Sequence, residues 1–431
     1  AYNAVSSQTE VELDQFSSEL RLTSPAGGVL EYQGGLYAFY SRFDSVGTFT
    51  QQPDLVNNVS IGPGLTLGNI FPDGTTNVDS NDYTTTSLAA YGQVVWNYSD
   101  KLSATLGLRY THEEKEREGS QITTPSFAID LPPIAGPDIY LDDSRTDSDL
   151  SPAVNLRYFF APDVMGYASI SRGFKSGGFN QRREASTSNG EFDEETATNY
   201  ELGWKTSWLN RRLQFNGTLF YVDYEDFQSQ TFDGSSLKVT NAGNLERFGT
   251  ELDAVYMVSP SLSLGTAIGY TRAEYDEFDN AQCTIEQQFH QYYVVEGAQG
   301  GSPGTNSSCS QDLAGRPLAN APEWTVSSWL QYDMGLPRDL NAVFRLEHSY
   351  IDSHYLEEDL DPNLMNDAVN LVNFRVTLTN PGRDWEAIIW GRNLLDEEYY
   401  AFGLDIPTLG GYAGVVALEA TYGLTLRFHG R

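Results

Sequence analysis

KLSATLGLR, residues 101–109, alternates without a break: Leu102, Ala104, Leu106 and Leu108 take one side, and Ser103, Thr105, Gly107 and Arg109 the other. A period of two means an extended strand with one apolar and one polar face. The pattern returns where Val372, Phe374, Val376 and Leu378 alternate with Asn373, Arg375 and Thr377. It closes the sequence with Leu424, Leu426 and Phe428 against Gly423, Thr425 and Arg427. An inner face carrying arginines does not suit a dry, filled barrel, because a buried unpaired charge costs several kcal/mol. A polar inner face within an apolar outer one is the arrangement of a barrel in lipid.

Working outward, about fifteen such segments follow one another, beginning near residues 14, 29, 83, 101, 149, 163, 196, 211, 246, 262, 323, 339, 367, 384 and 413. Their connections alternate in length. The short ones are turn chemistry: SPAGG at Ser24, SDK at Ser99, APD at Ala161, LNR at Leu209, SPS at Ser259, GLPRD at Gly335 and NPGRD at Asn380. The others are long polar stretches near 45–82, 117–147, 174–195, 229–245, 278–321, 355–366 and 397–410. Strict alternation of this kind belongs to an outer-membrane barrel, with tight turns in the periplasm and long loops outside; a sandwich or propeller gives no reason for it. The expected class is therefore all-β, an antiparallel transmembrane β-barrel spanning residues 1–431, with the C-terminus periplasmic and the long loops extracellular.

Composition agrees by exclusion. The 431 residues carry 26 Lys plus Arg against 59 Asp plus Glu, a formal charge of −33, so a nucleic-acid partner is excluded for want of clustered positive charge. No apolar run approaches the roughly 18 residues that a spanning helix needs. The first residues, AYNAVSSQTEVELDQF, lack the basic and apolar regions of a signal peptide. An aromatic content of 13% argues against disorder, and Trp96, Tyr98 and Trp208 near strand ends fit interfacial girdles.

Six segments resemble the TonB-dependent outer-membrane receptors, in that family's order and spacing. They are DQFSSELRLTSPAGGVLEYQGGLYAFY (Asp14 to Tyr40), YASISRGFKSGGFN (Tyr167 to Asn180), NYELGWKTSWLNRRLQFNGTLFYVDYEDFQ (Asn199 to Gln228), NAGNLERFGTELDAVY (Asn241 to Tyr256), LAGRPLANAPEWT (Leu313 to Thr325) and GRNLLDEEYY (Gly391 to Tyr400). The resemblance implies a barrel of 22 strands preceded by a plug domain and a box that binds TonB, neither of which is visible in this sequence. Fifteen strands would then be the C-terminal two-thirds of a receptor. Parity points the same way, since bacterial single-chain barrels have even strand numbers and an open sheet exposes unpaired edges to lipid. The tail beyond Phe428 departs from the family's usual aromatic ending.

The implied function is import of a scarce nutrient such as a siderophore, cobalamin or saccharide, with TonB-coupled energy and no covalent chemistry. A passive porin-class channel and a surface adhesin or scaffold are the alternatives. Lipid, lipopolysaccharide, TonB and a small molecule or chelate are the expected partners. Candidate substrate contacts cluster in GFKSGGFNQRR, where Phe174, Lys175, Asn180, Gln181, Arg182 and Arg183 bring an aromatic, amides and cations to one loop, with salt bridges to the neighbouring EFDEE run as the competing reading. Arg109, Arg157, Arg345, Glu347, Arg375 and Arg392 on the polar face are expected to form ion pairs across the wall or to a plug. Cys283 and Cys309 share the longest loop, and a protein matured through the periplasm would oxidise them. No catalytic motif, cofactor or metal site is read: His348 and His354, six apart on a strand, would stand about 20 Å from one another.

Overall fold

The computed structural model describes residues 5–51, 60–62, 65–66, 75–124, 138–180, 190–232, 237–295, 309–380, 385–406 and 410–428. Fifteen strands form one antiparallel sheet in which every strand pairs with its predecessor and successor. They are β1 (Val5–Thr23), β2 (Leu30–Gln51), β3 (Thr76–Asn97), β4 (Leu102–Thr124), β5 (Ile139–Ala161), β6 (Val164–Lys175), β7 (Glu195–Trp208), β8 (Leu213–Glu225), β9 (Leu245–Ser259), β10 (Leu262–Tyr275), β11 (Trp324–Leu336), β12 (Leu340–Ile351), β13 (Val369–Asn380), β14 (Trp385–Arg392) and β15 (Thr421–Phe428). Among the described residues, β1 pairs only with β2 and β15 only with β14. Among the described residues no helix is long and apolar enough to cross a membrane.

The wall is inverted relative to a soluble protein. On β4, Leu106 and Leu108 are 60% and 49% exposed while Ser103 and Thr111 of the opposite face are buried. On β15, Leu424, Leu426 and Phe428 are all exposed. Large apolar side chains facing out are favourable only where lipid replaces water. Trp96 and Tyr98, in edge contact at 5.4 Å between ring centroids, are exposed at the short-turn end, as is Trp208.

The short turns close where the sequence can enter the left-handed region: Leu209, Asn210 and Arg211 have φ of 55°, 57° and 64°, and Arg338 and Asp339 69° and 58°. At the other end the strands run further than their alternation suggests. The strands β1 to β5 contain 19, 22, 22, 23 and 23 residues, about twice the 9–11 that cross a bilayer. Their extensions, such as THEEKEREGSQITT (111–124) and IYLDDSRTDSD (139–149), are polar on both faces. They occupy parts of the stretches 45–82 and 117–147, because a strand standing clear of lipid needs no apolar side and loses the period-two signal. The segment expected from about 413 divides in two: Gly411–Val416 pairs with Tyr400–Ile406 in a separate hairpin, and the wall strand starts at Thr421. An apolar core gathers at the long-loop end, where Leu245, Tyr275, Phe278, Leu313 and Leu360 are buried together.

Candidate functional site

The extensions of β4 and β5 carry a strip of charge on their inner face. Glu113, Lys115 and Arg117 stand opposite Asp147, Arg145 and Asp143 in the ladder. Like charges meet in two of these pairs, so the partners are found along the strands or on the neighbouring loop instead. Arg145 grips Asp147 with two parallel bonds, Nη2 to Oδ1 at 2.7 Å and Nε to Oδ2 at 3.0 Å. Arg117, buried, pairs with Asp143. Lys115 lies 3.3 Å from Glu113.

The Gly-rich segment after β6 lies along this strip. Lys115 Nζ donates to the Ser176 hydroxyl at 2.7 Å and the Gly177 carbonyl at 2.6 Å. The Arg117 guanidinium covers the Phe179 ring at 4.8 Å and donates to the Asn180 carbonyl at 3.1 Å. Arg145 reaches on to Glu191 at 3.1 Å and donates to the Phe192 carbonyl at 2.6 Å. The EFDEE run therefore finds its cation on the wall, with Asp193 and Glu194 of the same run at 3.8 and 3.7 Å from Arg145. Gly177 and Gly178 permit the close approach: a Cβ at Gly177 would fall on the Arg145 guanidinium, and one at Gly178 would come within 2.8 Å of the Phe192 ring.

Of the residues expected to touch substrate, Phe174 is half-buried and Lys175 exposed at the end of β6. Asn180 is buried and committed to holding loops together, its side chain donating to the Val239 carbonyl at 2.9 Å and accepting from the Val239 amide at 2.7 Å. Gln181, Arg182 and Arg183 lie outside the described residues. On the polar face, the candidates make local contacts. Arg109 lies over Tyr37 at 5.6 Å and donates to Thr111 at 3.1 Å. Arg157 donates to Ser103 at 3.1 Å. Arg345 pairs with Glu347 at 2.7 Å, reaches Gln331 at 3.2 Å and covers Trp329. Arg375 is exposed opposite Arg345 in the ladder, and Arg392 lies over Trp390 at 5.3 Å. Cys283 and Cys309 are joined in a disulfide, their Cα atoms 5.9 Å apart.

A second cluster was not singled out by the sequence. Two loops, after β12 and after β14, bring Glu357, Asp359 and Asp405 together so that one carboxylate oxygen of each lies within 4.8 Å of the others. Asp405 and Asp361 are fully buried and Asp359 is 2% exposed. Their hydrogen-bond partners are amides and a phenol: the Asp405 amide donates to Glu357 at 2.6 Å, the Asp361 amide to Asp359 at 3.1 Å, the Asn363 amide to Asp361 at 2.7 Å, and Tyr412 to Asp361 at 3.2 Å. Burial, reinforced by the Asp359 carboxyl, pushes Asp405 up to about 9. Burial likewise pushes Glu357 up to about 8, against the bond from the Asp405 amide. Nearby, burial raises Glu286, but bonds from the Tyr412 hydroxyl, from its own backbone and from Asn363 outweigh it and hold the carboxyl below its ordinary value. Nothing in the run EEDLD announced this, since acidic neighbours are common by chance among 59 carboxylates and Asp405 is remote in sequence.

Residues 2–394 match the family model described as "TonB dependent receptor-like, beta-barrel". The pesticin receptors of Yersinia enterocolitica and Yersinia pestis are each 25% identical over 202 residues, 46% of this chain and 28% of theirs. Among solved structures, the ferric yersiniabactin uptake receptor of Yersinia pestis superposes with a TM-score of 0.75 at 17% identity, over 99% of this chain and 55% of that one. The ferric-catecholate import receptor of E. coli K12 gives 0.65 at 15% identity, over 97% and 55%. This chain thus spans little more than half the length of the solved receptors it matches.

Proposed function

The chain belongs to the TonB-dependent receptor-like β-barrel family, and from that premise we propose that it is the barrel wall of an outer-membrane importer of a scarce small molecule or chelate. The family is one of Gram-negative outer-membrane transport receptors, which supports a role in transport rather than catalysis. The observation that carries the reading is the inverted wall, apolar outward and charged inward, in the same chain as a family match over residues 2–394. In this reading residues 1–431 form one barrel domain, the short turns and C-terminus face the periplasm, and the long loops face outward among lipopolysaccharide. Substrate is captured at the long-loop end, with Phe174, Lys175, Gln181, Arg182 and Arg183 among its contacts and Asn180 holding their loop in place. The inward arginines, including Arg109, Arg157, Arg345, Arg375 and Arg392, with Glu347, line the lumen where a plug sits, and TonB moves that plug.

Extraction from the native outer membrane tests this. The reading expects an intact mass well above the 47.9 kDa of this chain, a plug sequence before Ala1, and no steady conductance in a planar bilayer. A species of 47.9 kDa that conducts steadily would replace the importer with a pore.

A further inference from the structure

We propose that Glu357, Asp359 and Asp405 hold a divalent cation of the calcium class, which fastens the loop after β12 to the loop after β14. Acidic side chains gather on many protein surfaces without a ligand, but two of these three are buried. Asp405 is 0% exposed, and neither of its carboxylate oxygens meets a hydrogen-bond donor. Asp359 leaves its Oδ2 in the same condition. Buried polar atoms are almost always satisfied, and a buried carboxylate without a donor or counter-charge is costly. Three carboxylates converging within 4.8 Å, with three oxygens unsatisfied, supply what a cation would use.

The donor set selects the ion. It is all oxygen, with no imidazole or thiolate, which suits calcium, magnesium or manganese and not zinc or copper. Calcium accepts irregular sets of six to eight oxygens, including bidentate carboxylates, whereas magnesium keeps several of its waters. A site whose aspartates are 0% and 2% exposed has little room for a hydrated ion. The loops are already shaped around it: the Asp405 amide fixes Glu357, and the Asp361 amide fixes Asp359. Beyond the cluster, Asn363 and Tyr412 both bond Glu286, at 2.9 and 2.7 Å, carrying the connection to the loop that the disulfide braces. A cation here would join two of the long loops directly, with Glu286 linking a third through Asn363 and Tyr412. The inference stands whether or not the barrel transports.

The test uses the full-length protein purified in detergent and stripped with a chelator. Equilibrium dialysis with radioactive Ca²⁺ should find one ion bound per chain at this site, and Asp405→Asn should weaken it by about 100-fold or more. Melting adds an independent sign. Excess Ca²⁺ should raise the melting temperature of the wild type and leave that of D405N unmoved. If D405N fails to fold, E357Q removes a second ligand and should give the same loss of binding. Absence of bound Ca²⁺ in the wild type, equal binding in the variants, or an identical melting response to Mg²⁺ at the same concentration would each overturn the assignment.

Discussion

Replacing Arg145 by methionine keeps an apolar stem but removes the fork that holds residues 191–194. The arginine side chain is 7% exposed and its Asp147 partner 2%, so the change strips a buried carboxylate of its paired cation and leaves only the more distant Lys115 and the Glu194 carboxyl to offset it. Breaking a buried pair from one side costs about 3–5 kcal/mol. The Phe192 carbonyl loses its donor at 2.6 Å as well, but it is half-buried and takes up water, so its loss adds little. Glu191 is 38% exposed and regains water, so its loss adds little. A local cost of about 4 kcal/mol should open the segment without unfolding the barrel, and each 1.4 kcal/mol is tenfold in the opening constant. Amide hydrogen exchange at Asn180 and Phe192, measured by mass spectrometry in micelles, should therefore quicken by about a thousandfold in R145M. Adding Asp147→Asn removes the stranded charge and should recover part of the protection. Exchange within threefold of the wild type, or a double variant worse than the single one, would refute the account of the strip as a buried clamp.

Leu106 lies midway along the apolar run of β4 and faces outward. L106R should cost about 2–4 kcal/mol in lipid vesicles while T105R on the inner face costs little, and urea unfolding of both separates them. Reducing the Cys283–Cys309 disulfide should add two hydrogens to the intact mass and weaken its loop by about 3.5 kcal/mol for a closed span of 26 residues, read as faster exchange in the helix Ile285–His290. Because the Glu286 carboxyl is held below its ordinary value, its contribution is present at neutral pH and lost as pH falls through that lowered value. Glu286→Gln should flatten that acid limb of the loop's stability and lower the neutral plateau by only a few tenths of a kcal/mol, since the group is exposed.

The wall was legible because lipid imposes a one-dimensional rule: Leu106 and Leu108 must differ from Thr105 and Arg109, and that alternation survives in the sequence. Where β4 passes beyond lipid, at THEEKEREG, both faces meet polar surroundings and the rule lapses, so the strand was hidden although its ladder continues. The Gly pair of SGGFN marked a loop, and its glycines do meet a crowded surface. Its partners Lys115, Arg117 and Arg145 were not legible, since charges on remote strands carry no local signature of burial. The same holds for Asp405, whose burial and neighbours depend on how two loops fold over one another.

The most direct test of the central claim is genetic: growth of strains lacking this gene, lacking the TonB gene, or lacking both, across media each limited in one scarce nutrient. Loss of this gene should impair growth on at least one such nutrient, with the double deletion no worse than the TonB deletion alone. Unimpaired growth on every nutrient, or impairment that adds to the loss of TonB, would contradict it.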